Sequence, residues 1–163
     1  MDLIAHIAAD PAVKALCAHI ARGRRAVARG SQGSSTAFLA GAVSRTLARP
    51  VLLVVAHLDE ADETLDELLG AGLAAARFPA LEVLPGESQA SLDLFAERLG
   101  LLRALPDSPP QALVAPIQAL MQPVPVPAAL STLSTTLRRA QRVELSKLIK
   151  WLVDAGYLSL IHI

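Results

Sequence analysis

The segment with the clearest chemical potential is the glycine- and hydroxyl-rich loop at residues 30–37, which reads GSQGSSTA. A phosphate-binding loop has the pattern G-x-x-x-x-G-K-[ST] between a strand and a helix. Its backbone N–H groups surround phosphate oxygens, its lysine reaches the β- and γ-phosphates, and its hydroxyl holds Mg²⁺. With Gly30 as the first glycine, Ser35, Thr36 and Ala37 occupy the glycine, lysine and hydroxyl positions. Three of the four defining residues therefore differ from the pattern.

No change of register restores this pattern. A shift by one residue makes Thr36 the magnesium ligand but places Ser35 at the lysine position, and no lysine occurs between Lys14 and Lys147. Because a charge-assisted contact is worth about 1.5–3 kcal/mol, its loss predicts a vestigial nucleotide site with no bound cofactor. An ordinary glycine–serine turn between a strand and a helix explains the residues equally well. They are Gly30, Ser31, Gln32, Gly33, Ser34, Ser35, Thr36 and Ala37.

The other reactive side chains lack the spacing of a catalytic or metal site. Ser34, Ser35 and Thr36 have no accompanying histidine or aspartate motif, so we expect no catalytic residue. Cys17 is expected to be a small buried hydrophobe on a helix. The histidines have no metal-ligand spacing with each other or with Cys17, so we expect no metal site. They are His6, His19, His57 and His162.

Charged residues cluster at three places along the chain. The acidic cluster lies along a predicted helix and is expected to be a solvated face. Its members are Asp59, Glu60, Asp62, Glu63, Asp66 and Glu67. Two basic groups could contact DNA phosphates or an acidic partner, although solvation is the simpler interpretation. They are Arg22, Arg24, Arg25 and Arg29, and Arg138, Arg139, Arg142, Lys147 and Lys150.

The composition favours a folded protein that does not bind nucleic acid by itself. Hydrophobic residues make up 53% of the 163 residues, and fifteen basic residues balance fifteen acidic ones. A protein that grips phosphates usually has a basic excess. The single cysteine excludes an internal disulfide, the N-terminal residues lack the features of a signal peptide, and the apolar run at 51–56 is too short to span a bilayer. We expect a cytoplasmic protein with no membrane partner.

Strands alternate with helices in the predicted secondary structure. Strands are expected at residues 25–29, 51–56, 75–78 and 112–115. Helices are expected at 10–22, 37–47, 59–69 and 92–105, with a further short helix that runs through Met121. The strand at 51–56 is apolar on both faces, which favours a central position in a parallel sheet. The alternation predicts an α/β domain with a parallel sheet flanked by helices.

Two of the predicted helices have a defined inner face. Asp59 is expected to cap the helix at 59–69, whose buried stripe would be Ala61, Leu65, Leu68 and Leu69. In the helix at 92–105 the stripe would be Leu92, Phe95, Leu99 and Leu102. Each assignment follows the 3.6-residue period of apolar positions.

Alternating prolines separate the chain into two predicted domains. Pro123, Pro125 and Pro127 favour a stiff, extended connector at 123–130, which follows a first domain at 1–122. Beyond it we expect a strand at 132–137 and a helix at 143–155 closed by Gly156. One strand and one helix cannot bury a core, so residues 131–157 are predicted to begin a small second α/β domain that is truncated.

Six stretches of the sequence carry a resemblance to a known family, in family order and spacing over residues 1–157. They are GSQGSSTA at 30–37, RPVLLVVA at 49–56, FPALEVLPGES at 78–88, ERLGLLRAL at 97–105, LVAPIQALMQPVP at 113–125 and LVDAGY at 152–157. Together they resemble the N-terminal module of the bacterial transcription-repair coupling factors, the Mfd family. That module is similar to the nucleotide-excision repair protein UvrB.

The resemblance implies a RecA-like first domain with a degenerate phosphate loop, followed by a small domain that recruits UvrA. In the family, the full-length protein displaces RNA polymerase stalled at DNA damage. Its ATP- and Mg²⁺-dependent motor, which moves along double-stranded DNA, and its polymerase-binding domain lie further along the chain. The resemblance implies no catalytic residue in the present segment, and it assigns no UvrA-binding residue here.

Two features distinguish the sequence from UvrB itself. UvrB keeps an intact phosphate loop, which Thr36 and Ala37 exclude here. UvrB also carries a long, tyrosine-rich hairpin that verifies damage, whereas the corresponding segment at 84–91 is short and has no aromatic residue. Stacking on bases needs aromatic rings, so this segment is not expected to verify damage.

The chain departs from the family after Tyr157, where it reads LSLIHI. We interpret residues 158–163 as a non-native tail that replaces most of the second domain, including the surface expected to contact UvrA. Two other functions stay open from the sequence. One is a diverged phosphate-loop ATPase of the UvrB or helicase type, and the other is a free-standing α/β scaffold unrelated to repair.

Overall fold

The computed structural model describes residues 2–82, 91–154 and 157, with only the backbone of residues 132 and 133. Within these ranges the elements are α1 (Leu3–Ala9), α2 (Pro11–Ala21), α3 (Ser34–Leu47), β1 (Val51–Val55), α4 (Leu58–Gly70), β2 (Ala75–Arg77), α5 (Leu92–Ala104), β3 (Ala112–Pro116), α6 (Ile117–Met121), α7 (Pro127–Leu133) and α8 (Leu145–Asp154). The chain divides into two units, Met1–Pro123 and Val124–Ile163.

Helix α2 begins and ends as its sequence predicts. The Asp10 carboxylate accepts a hydrogen bond of 2.7 Å from the backbone N–H of Ala12, and Pro11 occupies the first helical position. Gly23 follows the helix with φ of 70°, a left-handed conformation that glycine adopts without strain. Cys17 is buried on the inner face of α2, as expected.

Asp2 both caps α1 and joins it to α3. Its carboxylate accepts a hydrogen bond of 3.0 Å from the backbone N–H of Ala5 and forms an ion pair of 2.8 Å with Arg45. The pKa of Asp2 lies below its ordinary value mainly because Arg45 donates a hydrogen bond to the carboxylate, and secondly because the backbone N–H of Ala5 does. The ionised form is therefore the one that stabilises the fold.

Replacing Asp2 with asparagine should lower the melting temperature at neutral pH and have no effect in strong acid. Because the folded-state pKa is lowered, the stabilisation is present above the ordinary carboxylate pKa and is lost as pH falls through the folded value. Thermal unfolding of both proteins across this range measures the difference. A difference that stays constant down to strongly acidic pH would contradict the role assigned to the charge.

The described strands form one parallel sheet in the order β1-β3-β2. Strand β3 pairs with β1 from Val51↔Ala112 to Val55↔Pro116, and with β2 from Ala75↔Ala112. Side chains of β3 alternate between two core clusters, with Val114 in the first and Ala115 in the second. Helices therefore cover both faces of β3, which confirms the α/β class with a parallel sheet flanked by helices.

The two core clusters lie on opposite faces of β3. The first cluster brings together Ile4 of α1, Ala37 of α3 and Leu68 of α4, with Leu73 after that helix. The second is smaller: it joins Phe78, Ala80, Ala115 and Ala119, and Leu101 and Leu102 of α5 pack against it. Most of the buried apolar side chains therefore lie on the side of the sheet that α1, α3 and α4 cover.

The expected central position of the strand at 51–56 is wrong, because β1 is an edge strand of the described sheet. Leu53 and Val55 pack into the first cluster, whereas Leu52 and Val54 are each about half exposed on the other face. The sequence could not reveal this, since β-branched residues on both faces suit a covered edge strand as well as a central one. Strand order depends on long-range pairing, and β3 takes the central place.

The predicted strand at 25–29 is also wrong, because these residues are irregular. None of the backbone hydrogen bonds that join described residues outside the helices and strands involves residues 25–29. The segment lies instead along α2 and α3, where it lines an open cavity. The loop at 30–37 therefore does not follow a strand of the described sheet.

The predicted cap and inner face of α4 both need correction. His57 rather than Asp59 is the N-cap. Asp59 lies in the first turn, where its carboxylate accepts a hydrogen bond from the backbone N–H of Glu60. Ala61, Thr64 and Leu68 form the buried face of the helix, whereas Leu69 is 49% exposed.

Helix α5 is rotated relative to its predicted face. Of the predicted inner residues, Leu102 packs against the second cluster, but Leu92 and Phe95 are 80% and 45% exposed. The buried side chain of the helix is Arg98. The apolar period could not anticipate this rotation, because an arginine is seldom placed in a core unless it finds hydrogen-bond acceptors.

In the second unit, α7 spans Pro127–Leu133, so helix replaces the predicted connector beyond 126 and the first residues of the predicted strand at 132–137. Pro127 at the first helical position and two following alanines favour the helix. The predicted helix at 143–155 is confirmed as Leu145–Asp154. Its closing Gly156, the segment at 84–90 and the tail at 158–163 lie outside the described residues.

Among the described helices, none alone is long and apolar enough to cross a membrane.

Candidate functional site

The loop at 30–37 leads directly into α3. Gly30 and Gly33 have φ of 86° and 55°, in the region that favours glycine. Gly33 is the N-cap of α3, and the helix begins at Ser34, three residues earlier than predicted. The loop and the helix N-terminus are therefore placed together as the pattern anticipates, although the loop does not follow a described strand.

The hydroxyl groups of the loop bond to one another and to the loop backbone. Ser31 Oγ lies 2.9 Å from Thr36 Oγ1 and 3.3 Å from Ser35 Oγ. Ser35 Oγ donates to the carbonyl of Gln32 at 2.7 Å and accepts the Gln32 N–H at 2.8 Å. The Thr36 hydroxyl, which the shifted register makes the Mg²⁺ ligand, is thus engaged inside the turn.

Backbone N–H groups of the loop also have partners within it. The N–H of Ser35 donates to the carbonyl of Gln32 at 3.3 Å, and the N–H of Thr36 donates to the carbonyl of Gly33 at 3.0 Å. In a phosphate-binding loop these groups point at the ligand. Here the turn closes on itself, as an ordinary helix entry does.

Carboxylates of α4 face the loop across a cavity of about 250 Å³. Glu60, Glu63 and Glu67 line the cavity together with Thr36 and the carboxyl end of β1. Ser34 Oγ donates a short hydrogen bond to Glu67 Oε1. Among the described residues that line the cavity, none is cationic.

The carboxyl end of β1 is engaged by side chains as well. The N–H of Ala56 donates to Glu60 Oε2 at 3.1 Å, and its carbonyl accepts a bond of 3.3 Å from Gln118 Nε2. Ligands of open α/β sheets bind at this edge. A ligand here would have to displace these contacts.

The cavity is electrostatically unfavourable for a nucleotide. Two like charges about 4 Å apart repel by about 1–4 kcal/mol in surroundings between water and a protein surface. A triphosphate would meet three glutamates, and no described lysine or arginine of the cavity would offset them. The arrangement is better suited to holding the α3–α4 contact than to binding a polyanion.

A second cluster forms around the buried guanidinium of Arg98, which is 2% exposed. It donates to the carbonyls of Pro79 at 2.7 Å, Ala119 at 2.8 Å and Gln122 at 3.1 Å. Its guanidinium carbon lies 4.1 Å from the centre of the Phe78 ring, within reach of a cation–π contact. Burial lowers the pKa of Arg98 from its ordinary value, and the group stays charged.

Gln122 completes this cluster. Its side-chain oxygen accepts the N–H of Leu81 at 2.8 Å, and its nitrogen donates to the Leu81 carbonyl at 2.9 Å. The FPAL segment, the ERL segment and the ALMQ segment thus meet at one point. Each of the three comes from a different stretch of the family resemblance.

No model of a protein family, no curated protein and no solved structure matches this chain. The family resemblance of the sequence therefore stays a prediction.

The other candidate residues are scattered. Within the described residues, no three histidine, cysteine, aspartate or glutamate side chains are placed to hold a metal ion. The basic residues of both groups are exposed. The acidic residues of α4 are mostly exposed, but Asp62 forms an ion pair of 2.5 Å with Arg77.

Sequence reasoning missed the contacts of Glu60 and Glu67 and the burial of Arg98. A signal for the glutamates was present, because Glu60, Glu63 and Glu67 recur at helical spacing just after a strand that must lie near the loop. Arg98 gave a weaker signal: it sits among leucines in a helix that is otherwise apolar on that side.

Proposed function

We propose that the chain is the N-terminal part of a transcription-repair coupling factor. Its role in the full-length protein is to help recruit the nucleotide-excision repair machinery, through UvrA, to RNA polymerase stalled at DNA lesions. The first unit is then a RecA-like domain whose phosphate loop is degenerate. Motor activity, with its ATP and Mg²⁺, belongs to downstream domains that act on double-stranded DNA.

The observation that carries this proposal is the meeting of three family-like stretches at Arg98. The three stretches lie about twenty residues apart along the chain, and each supplies residues to one cluster. Phe78 and Pro79, Arg98, and Ala119 with Gln122 are in direct contact. These contacts give the three stretches a shared structural role, which supports their treatment as one pattern.

The absence of catalysis in this segment is proposed on electrostatic grounds. The loop offers hydroxyls that are already bonded, and the cavity beside it carries three carboxylates. A nucleotide site needs the opposite charge at this place. The alternative of a diverged phosphate-loop ATPase is disfavoured by the same carboxylates.

The membership is tested by sequencing the coding DNA beyond codon 157 in the source genome. The proposal expects an open frame that continues into a polymerase-binding domain and a DNA-translocase motor. A genuine stop codon directly after Ile163 would contradict it and favour the free-standing scaffold.

Introducing the lysine and the hydroxyl of the loop signature with Thr36→Lys and Ala37→Thr, which leaves Ser35 at the second glycine position, should not create ATP binding. We expect the introduced ammonium group to pair with the glutamates of α4, which outcompete a solvated triphosphate for it. Titration with a fluorescent ATP analogue and Mg²⁺ measures this.

A four-residue variant, which adds Glu63→Gln and Glu67→Gln to the same protein, provides the comparison. Gain of binding in this variant alone would show that carboxylate repulsion is the barrier. Micromolar binding by the two-residue variant would refute the electrostatic argument.

A further inference from the structure

An open groove runs between α2, α3 and the irregular residues 25–29, with a volume of about 580 Å³. Its floor is aliphatic, formed by Val13 and Leu16 of α2 and Leu39 of α3. Arg25 and Arg29 line its rim. The described lining of this groove includes no carboxylate, in contrast to the glutamate-lined cavity beside the loop.

The residues that border this groove have unused binding capacity. Arg25 and Arg29 are exposed, and within the described residues no carboxylate forms an ion pair with either of them. Val27 between them is 74% exposed. The backbone groups of 25–29 take no part in the backbone hydrogen bonds that join described residues outside helices and strands. Two cationic side chains, an apolar side chain and unpaired backbone groups are thus available to a ligand side by side.

We propose that this groove is a docking site for an extended, acidic segment of a partner protein, in which carboxylates alternate with aliphatic side chains. Its backbone pairs with residues 25–29, its carboxylates lie on the face of Arg25 and Arg29, and its aliphatic side chains lie on the opposite face, over the groove floor. Addition of a strand to an unpaired backbone is a common mode of peptide recognition. The site is separate from the proposed function and does not depend on it.

An acidic peptide fits this surface better than a nucleic acid does. Among the described residues that line the groove there is no phenylalanine, tyrosine or tryptophan on which a base could stack. Residues 1–123 carry ten basic and thirteen acidic side chains, an excess that repels a long polyanion. A short acidic segment needs only the two arginines of the rim.

The test uses the full 163-residue chain and a short synthetic peptide in which glutamate alternates with valine and leucine. We expect saturable binding, with NMR shift changes confined to α2, residues 25–31 and the start of α3. Arg25→Gln with Arg29→Gln should weaken binding about tenfold or more, whereas Arg138→Gln with Arg139→Gln, an exposed pair in the other unit, should leave it unchanged.

Two further probes separate the contributions. A peptide with glutamine in place of glutamate, and one methylated at alternate backbone nitrogens, should each bind more weakly than the parent. No binding of the parent peptide, shift changes centred elsewhere, or equal loss in both arginine pairs would overturn the proposal. Tighter binding of a single-stranded oligonucleotide through Arg25 and Arg29 would overturn it in favour of a nucleic-acid site.

Discussion

Replacement of Arg98 with methionine lowers the free energy of unfolding by about 2–5 kcal/mol. Methionine fills similar space, so the main loss is polar. The carbonyls of Pro79, Ala119 and Gln122 lose a donor that is 2% exposed, and each buried carbonyl left without a partner costs about 1–3 kcal/mol. The contact with the Phe78 ring is lost as well.

Chemical denaturation followed by circular dichroism measures this effect. Arg24→Met is the matched control, because Arg24 is exposed, and it should change stability by less than about 0.5 kcal/mol. Arg98→Lys should fall between the two, since an ammonium group cannot reach all three carbonyls in the plane of a guanidinium. Equal effects of the methionine substitutions at 98 and 24 would show that the Arg98 cluster does not hold the three segments together.

Replacement of Leu68 with alanine lowers the free energy of unfolding by about 2–5 kcal/mol. Leu68 is fully buried in the first core cluster, where α4 meets α3 and the sheet. Removing its branched end deletes apolar contacts and leaves a cavity that the surrounding helices fill only in part.

Leu69 provides the control on the same helix. Sequence periodicity assigns both leucines to the inner stripe, but Leu69 is 49% exposed. Leu69→Ala should therefore cost much less than Leu68→Ala, on the order of 1 kcal/mol or below. Comparable losses at the two positions would mean that α4 is rotated from its orientation in the structure.

Local signals in the sequence are sufficient for most of the helices and strands. The capping of α2 by Asp10 and Pro11, its end at Gly23 and the strand at 51–55 follow from short-range chemistry that a few neighbouring residues determine. Burial of Cys17 follows from the apolar period of the same helix. These features depend little on the rest of the fold.

The predictions from sequence fail where contacts between residues far apart in the chain determine the structure. The edge position of β1 depends on β3, which lies about sixty residues further along the chain. The inward rotation of α5 depends on carbonyls supplied by residues 79, 119 and 122, which no local pattern around Arg98 reveals. Residues 25–29 are irregular although their sequence has strand character, and none of the described strands pairs with them.

The residue types of the candidate site can be read from the sequence, but its contacts cannot. The missing lysine and the altered hydroxyl position can be read directly from Thr36 and Ala37. The internal bonding of Ser31, Ser35 and Thr36, and the approach of Glu67 to Ser34, require three-dimensional structure because they join groups on the loop and on two helices. The sequence shows only that the attractive lysine of the loop is missing. The structure shows in addition that repulsive glutamates face the loop.

We propose that the turn before α3 does not hold a triphosphate, because its hydroxyls are bonded within the turn and glutamates face it. The most direct measurement is a titration of the full chain with a fluorescent ATP analogue in the presence of Mg²⁺, with unlabelled ATP as competitor. We predict no saturable, competable signal at any concentration up to the millimolar range typical of weak nonspecific association. Micromolar, magnesium-dependent binding that ATP displaces and that Thr36→Ala abolishes would contradict the claim.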